Sequence, residues 1–170
     1  MNRVQTSARP LVQARVGGTG WDFPAAHTGL HEGVFEPLHG HTYQVALAAW
    51  GLPDDTSGMV ADFRVLKQQL REVIAPLKRR TLIATDAPGV QVEERADGQL
   101  RVTGGGACFS VPRAWAVLLP VTGTSTEVLA CYLVAELARR LGAACPAIER
   151  LELTLTESAE CAATAEAVLR

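Results

Sequence analysis

Apolar and polar side chains alternate along the first third of the chain with the period of two that a β-strand requires. The pattern predicts a strand over residues 11–27 and a second over residues 41–50. One face of the first strand carries Trp21, Phe23, Ala25 and His27. The second strand is apolar on both faces, which is typical of a strand covered on both sides. The Gly17-Gly18 pair predicts a bulge in the first strand.

A helical period follows the turn-rich residues 51–58. Asp62 precedes an apolar stripe at helical spacing and is a candidate N-cap, and Pro76 closes that helix. A second helix is predicted after Thr124, which forms the capping-box pattern Thr-x-x-Glu with Glu127, and it ends at Gly142. The two helices therefore divide the chain into groups of strands.

The remaining apolar runs are short and read as strands. Three of them, at residues 90–94, 100–103 and 108–111, are separated by glycine-rich turns and predict hairpin strands. Residues 115–119 and 151–157 predict two further strands, of which the second is the last regular one. No repeat or linker interrupts the pattern, so residues 1–170 predict one α+β domain with a polar arm at residues 1–10.

Composition narrows the classes of protein and partner. The chain has 170 residues, 48% of them hydrophobic, and a net charge of -2, which excludes a disordered tail and leaves no basic stripe for nucleic acid. No apolar run approaches the roughly 18 residues that span a bilayer, so we expect no membrane insertion and a cytoplasmic location. The four cysteines form no C-x-x-C pair and are expected to be reduced packing thiols.

Three histidines are the most informative polar residues. His27 ends the first predicted strand, and His39 and His41 begin the second with the spacing that puts both rings on one side. In an antiparallel hairpin the three rings would converge, as in a catalytic zinc site with three nitrogen ligands and an open position. The alternative is that His39 and His41 are ordinary loop histidines.

Two other charged groups have a functional and an ordinary interpretation. Glu157 continues the apolar face of the last strand, so it either binds a guanidine-like edge with two parallel N–H groups or reaches solvent as the strand frays. The Lys78-Arg79-Arg80 cluster is either a solvated helix end or a site for a carboxylate or phosphate.

Five motifs occur in order along nearly the whole chain, from about residue 16 to residue 157. They are Phe23-Pro24-Ala25-Ala26-His27, His39-Gly40-His41-Thr42-Tyr43, Gly58-Met59-Val60-Ala61-Asp62-Phe63, Ser125-Thr126-Glu127 and Thr156-Glu157. Together they resemble the family of 6-pyruvoyl-tetrahydropterin synthase and 6-carboxytetrahydropterin synthase.

The resemblance implies a tunnelling fold, in which a four-stranded antiparallel sheet carries two helices on one face. Three such sheets join into a barrel, and two trimers stack into a homohexamer. Residues of about 90–111 would then be a hairpin insertion. The doubly apolar second strand agrees with this packing.

The resemblance also implies the site residues. The zinc ligands of the family fall on His27, His39 and His41, and its pterin anchor, a carboxylate, falls on Glu157. The residues that help to hold the pterin ring fall on Ser125 and Thr126. Zinc and a pterin or purine-like small molecule are therefore the expected cofactor and ligand.

The proton-transfer residues of the family are not matched. Phe35 stands at the position of its catalytic cysteine, and Lys78 and Arg79 are the best match for its Asp-His pair. A phenyl ring neither accepts nor donates a proton, and positioned acid-base groups are each worth about 10² to 10⁴ in rate. The parent synthase reaction is therefore not expected.

Two functions remain open from the sequence. In the first, the protein binds a pterin-like ligand without the parent chemistry. In the alternative, it is a zinc-dependent lyase or aldolase on a dihydropterin side chain with Glu36 as base, as in related proteins that have a Glu near the cysteine position. His31 and Glu32 are further acid-base candidates in the same loop. A third interpretation, a hexameric scaffold, has no sequence feature in its favour.

Overall fold

Strands and two long helices alternate along the chain in the computed structural model, which describes residues 10–169. The expected polar arm lies outside the described residues except for Pro10. The strands are β1 (Val12–His27), β2 (Leu30–His31), β3 (Val34–Phe35), β4 (His39–Gly51), β5 (Arg80–Ala84), β6 (Gln91–Glu94), β7 (Gln99–Gly104), β8 (Ala107–Pro112), β9 (Ala116–Leu119), β10 (Ile148–Thr156) and β11 (Ala162–Val168). The α-helices are α1 (Phe63–Ile74) and α2 (Thr126–Ala144), and short 3₁₀ turns cover Ala75–Leu77 and Arg113–Trp115.

The main sheet has the strand order β11-β10-β4-β1-β5-β9. Its first four strands are antiparallel and form the sheet that the family resemblance implies. Both helices pack on one face of it, where their apolar stripes and the inward residues of β1, β4 and β10 form one core. The α+β prediction is therefore confirmed.

Two strands extend this sheet beyond the predicted four. β5 and β9 join the β1 edge in parallel, with Ala25 opposite Arg80 and Thr81 opposite Ala116. Of these two strands, β9 was predicted and β5 was not. A further unpredicted strand, β11, pairs with β10 along its length, so the prediction that the strand ending near residue 157 is the last one was wrong. The alanines of β11 carry little of the β-branched and aromatic signal that marks a strand.

The β1–β4 hairpin brings the ends of its two strands together. His27 lies opposite His39, and Ala25 lies opposite His41. The register shifts between Gly17 and Asp22, which confirms the predicted bulge. A side chain at position 17 would collide with the carbonyl group of Val45, so the bulge requires glycine there.

The two helices begin one residue after their caps. The side chain of Asp62 accepts a hydrogen bond from the backbone of Arg64 and caps α1, as predicted. The cap of α2 is Ser125, whose hydroxyl accepts from the backbone N–H of Val128 at 3.4 Å. The capping box predicted at Thr124 was therefore wrong by one residue, because the Thr124 side chain is buried and bonded elsewhere.

Residues 91–112, the predicted hairpin insertion, form a small sheet of their own, in the order β6-β7-β8. It shares a second, smaller core with β5 and β9, and the buried members of this core are Ile83, Leu100, Val102, Val111 and Ala116. Phe35 packs against the same core, with its ring centroid 6.3 Å from that of Phe109. The backbone N–H of Phe35 also donates to the carbonyl oxygen of Gly105 at 3.0 Å. The insertion therefore supports the loop between β1 and β4.

Two expectations from composition have different outcomes. Within residues 10–169, no helix has the length and apolar character needed to cross a membrane. All four cysteines are unpaired, but only Cys145 is buried, while Cys108, Cys131 and Cys161 are exposed. The expectation of packing thiols therefore holds only for Cys145, which lies just after α2.

Candidate functional site

The three histidines meet on the helix-bearing face at the end of the β1–β4 hairpin. Ring centroids are 4.6 Å apart for His27 and His39, 4.9 Å for His39 and His41, and 5.3 Å for His27 and His41. One ligand atom from each ring and one carboxylate oxygen of Glu157 all lie within 4.8 Å of one another. The predicted convergence is therefore present, and Glu157 joins it.

His27 is the buried member of this cluster, with 4% of its surface exposed. Its Nδ1 atom lies 3.2 Å from the hydroxyl oxygen of Thr124, which itself donates to the carbonyl oxygen of Thr28 at 3.1 Å. Since the hydroxyl proton is already used, His27 donates from Nδ1. The other nitrogen, Nε2, is buried and has no hydrogen-bond partner among residues 10–169.

The other two rings also turn a nitrogen toward the cluster. His39 donates from Nδ1 to the carbonyl oxygen of Pro37 at 2.8 Å, which leaves Nε2 as the lone-pair nitrogen of the neutral ring. Nε2 of His41 lies 2.7 Å from Oε1 of Glu157. The two atoms are close, but their angles do not meet the criteria for a hydrogen bond. Within residues 10–169, Nε2 of His41 therefore has no hydrogen-bond partner.

Burial lowers the pKa of His27 below its ordinary value, and positive charge on His39 or His41 lowers it further. The ring therefore stays neutral near pH 7, as a metal ligand must. The buried, unpartnered Nε2 atom of His27 has a chemical explanation if a cation binds among the three rings. Three imidazole nitrogens are a ligand set that catalytic Zn²⁺ sites use, and the carboxylate of Glu157 lies beside them.

We expect the stability of the metal-free protein to fall at acidic pH. The pKa of His27 is lower in the folded state than in the unfolded chain, so the unfolded state binds more protons between the two values. The stabilisation is complete above the unfolded pKa of about 6.5 and is lost as the pH falls through the folded pKa. Urea unfolding across this range should show the loss, and a His27→Gln variant should have a shallower dependence. An equal slope in both proteins would contradict this.

Glu157 lies one residue beyond β10 and is held from two sides. Its Oε2 accepts a hydrogen bond from the hydroxyl group of Thr126, in the first turn of α2, and its Oε1 faces His41. One quarter of its side chain is exposed. The interpretation of Glu157 as a frayed surface residue is therefore not supported, because its carboxylate is built into the cluster.

The loop between β1 and β4 separates two neighbouring side chains. Phe35 points into the small core of the insertion, whereas Glu36 lines the same cavity as His27 and His39. The carboxylate of Glu36 lies over Gly29, where a Cβ atom would collide with it. The backbone N–H of Glu36 donates to the carbonyl oxygen of Gly29 at 2.9 Å. Glu36, and not the residue at the family's cysteine position, therefore reaches the site.

The cavity has a volume of about 480 Å³ and opens beside the cluster. Its lining includes Ser125, Thr126 and Glu157 as well as Glu36, His27 and His39. It can therefore hold a small molecule that contacts two carboxylates and two imidazole rings.

Other predicted candidates lie in different places. His31 lines the cavity but is not one of the clustered ligands, and Glu32 sits at the exposed turn between β2 and β3 with φ 49°. Lys78 forms an ion pair of 3.6 Å with Asp22, and Arg79 lines a separate cavity with Gly40 and Thr42. Within one chain, Lys78 and Arg79 therefore lie outside the cavity that His27 and His39 line.

Sequence reasoning assigned no site role to three residues. Thr124 was read only as a helix cap, although it contacts His27. Glu160 and Cys161 line the cavity from the turn that joins β10 to the unpredicted strand β11. A prediction of β11 would have placed this turn next to Glu157. The backbone N–H of Glu157 donates to the carbonyl oxygen of Cys161 in that turn.

Comparisons with known proteins agree with this architecture. The family model described as 6-pyruvoyl tetrahydropterin synthase matches residues 20–167. A Methanocaldococcus jannaschii protein provisionally named 6-carboxy-5,6,7,8-tetrahydropterin synthase is 29% identical over 122 residues, which are 72% of this chain and 74% of that protein.

Two solved structures share the fold. The crystal structure of Plasmodium vivax 6-pyruvoyl tetrahydropterin synthase has a TM-score of 0.86 at 24% identity and covers 94% of this chain and 99% of its own. A variant of the P. vivax synthase, in which a glutamate described as a catalytic residue is replaced by alanine, has a TM-score of 0.85 at 24% identity over the same shares.

Proposed function

The chain belongs to the 6-pyruvoyl tetrahydropterin synthase family, and from that premise we propose that it is a metal-dependent lyase acting on the side chain of a reduced pterin. The observation that carries the proposal is the position of Glu36, whose carboxylate lines the same cavity as His27, His39 and Glu157. The P. vivax relative is described as having a catalytic glutamate, which supports the same role for Glu36.

Ligand binding in this proposal depends on Glu157 and Thr126. The amino-pyrimidine edge of a pterin presents parallel N–H groups, which match the two oxygens of one carboxylate. The hydroxyl group of Thr126 bonds to Oε2 and so sets the direction of the carboxylate. Ser125 borders the same wall of the cavity and completes the proposed anchor.

His27, His39 and His41 would hold a zinc ion. When bound, zinc would act as a Lewis acid toward the oxygen atoms of the pterin side chain. The fit rests on the unpartnered Nε2 of His27 and on the clustered nitrogens of the three histidines. Glu157 is either a fourth ligand or the pterin anchor, and we assign it to the pterin because Thr126 already directs one of its oxygens.

Glu36 would act as the general base. It removes the proton of a side-chain hydroxyl group, the adjacent carbon–carbon bond breaks, and the electron pair passes into the C=N bond of the dihydropterin ring. The outer fragment leaves as an aldehyde, and the ring-side carbon then takes up a proton. The products are a hydroxymethyl dihydropterin and a hydroxyaldehyde, so atoms and electrons balance without a further reactant.

Pterin binding without this reaction is the second candidate. The observation in its favour is that Lys78 and Arg79, the best match for the family's Asp-His pair, lie elsewhere: Lys78 pairs with Asp22, and Arg79 lines a different cavity. We expect the zinc-loaded protein to release a hydroxyaldehyde from 7,8-dihydroneopterin. Tight binding of this compound with no release of product would instead support the binding protein. Assembly as a homohexamer is proposed from family membership, and light scattering would test it.

The Glu157→Ala variant should separate the two possible roles of this carboxylate. We expect affinity for dihydroneopterin to fall by about 10- to 100-fold, because hydrogen bonds to a charged group contribute about 1.5 to 3 kcal/mol. Zinc content should stay at the wild-type value. Calorimetric titration with the pterin and metal analysis of the same samples would measure both.

Glu152→Ala is a matched control, since Glu152 lies on β10, the strand that ends just before Glu157, and is half-buried outside the cluster. It should leave pterin affinity and zinc content unchanged. Loss of zinc in Glu157→Ala, with pterin affinity retained, would make Glu157 a metal ligand and contradict its assignment as the anchor.

A further inference from the structure

Thr124 lies between three parts of the site. Its side chain is 2% exposed, it directly precedes the cap of α2, and its hydroxyl group contacts both His27 and the backbone of Thr28. A threonine at this place ordinarily caps the helix. Here Ser125 caps it, so helix formation does not account for the Thr124 hydroxyl group.

The hydrogen-bond directions fix the state of the His27 ring. Thr124 has one hydroxyl proton and donates it to the carbonyl oxygen of Thr28, so it accepts from Nδ1–H of His27. A neutral ring protonated at Nδ1 has its lone pair on Nε2, the atom that lies among the clustered donors. The hydroxyl group therefore selects the tautomer that can bind a metal.

The same hydrogen bonds continue to the proposed base. The hydroxyl group of Thr28 donates to the carbonyl oxygen of Glu36 at 2.7 Å, while the backbone of Glu36 donates to that of Gly29. The segment of residues 27–29 is thus bonded to Thr124 on one side and to Glu36 on the other. A change at Thr124 would act on the metal ligand and on the base together.

We propose that Thr124 is a positioning residue that sets the His27 tautomer for metal binding and holds the segment against which Glu36 rests. The effect on zinc affinity rests on the proposed metal site. The tautomer of His27 can be measured without a metal. The experiment can therefore refute the metal site and the role of Thr124 separately.

Thr124→Val removes the hydroxyl group at nearly constant volume. We expect its zinc affinity to fall by about 10- to 100-fold, the usual effect of losing a group that orients a ligand. Thr124→Ser keeps the hydroxyl group and should restore wild-type affinity. Competition with a chromophoric chelator gives the affinity, and ¹⁵N NMR of the metal-free protein gives the His27 tautomer. The Nδ1–H form should predominate in the wild type and the serine variant and be lost in the valine variant.

Thr81→Val is the matched control, because Thr81 is another buried threonine, and its hydroxyl group makes no hydrogen bond within residues 10–169. Zinc affinity and tautomer should not change in it. Equal zinc affinity and an equal tautomer in Thr124→Val and the wild type would overturn the inference. If Thr124→Val does not fold, an Nε2–H tautomer in the wild type would overturn it. A wild type that binds no zinc but has the Nδ1–H form would refute the metal site and leave the role of Thr124 in ring orientation supported.

Discussion

Replacement of Glu36 by glutamine should reduce kcat for release of the hydroxyaldehyde by about 10² to 10⁴, the range expected for a positioned general base. The amide keeps the shape of the side chain over Gly29 but cannot accept the proton. Zinc content and affinity for dihydroneopterin should stay unchanged, since the clustered histidines and Glu157 are untouched. Single-turnover rates with the zinc-loaded protein, and calorimetry with the pterin, would measure these quantities.

Glu32→Gln is the control for the Glu36 prediction. Glu32 belongs to the same loop but lies at its exposed turn, outside the cavity. We expect wild-type turnover in this variant. Full activity in Glu36→Gln would remove Glu36 as the base, and loss of activity in Glu32→Gln alone would assign the base to Glu32.

Replacement of His39 by alanine should abolish stable zinc binding, from about one zinc per chain to none after dialysis. His39 supplies one of three imidazole nitrogens, and its ring is oriented by the carbonyl oxygen of Pro37. Without it, only His27 and His41 remain as ligands, because Glu157 is assigned to the pterin, and two protein ligands are one fewer than a catalytic zinc site uses. Metal analysis after zinc loading and dialysis would measure the loss.

His31→Ala is matched to this variant because His31 lines the same cavity but lies outside the ligand cluster. It should keep its zinc. Equal zinc content in His39→Ala and the wild type would refute the three-histidine site. Zinc loss in His31→Ala would show that the cavity binds the metal at a different place.

The parts of the fold with strong periodicity could be predicted from the sequence. The bulge at Gly17, the cap at Asp62 and the two-helix core depend on local patterns that survive in the folded chain. β5 and β11 were missed for different physical reasons. β5 has five residues and is held in place by parallel pairing with β1, and β11 consists mainly of alanine and polar residues and depends on β10 for its partner.

The site could be predicted where strand geometry alone fixes it. His27 and His39 lie opposite each other in one hairpin. His41 is two residues after His39 on the same strand, so its side chain lies on the same face. The choice between Phe35 and Glu36 could not be made, because it depends on the insertion. Adjacent residues in an extended loop point in opposite directions, and only the small core that receives Phe35 determines which one faces the cavity. Thr124 was missed because the helix cap lies one residue later, at Ser125. The hydroxyl group of Thr124 is therefore free of the helix and contacts His27 instead.

The insertion also divides the site between two cooperative units. The three histidines lie at the end of the main hairpin, whereas Glu36 is placed by Phe35 and the small core formed with β6, β7 and β8. Small units with few buried contacts open more often than the core of a domain. We therefore expect an opening of the insertion to displace Glu36, the proposed base, while the main sheet and the three histidines keep their places.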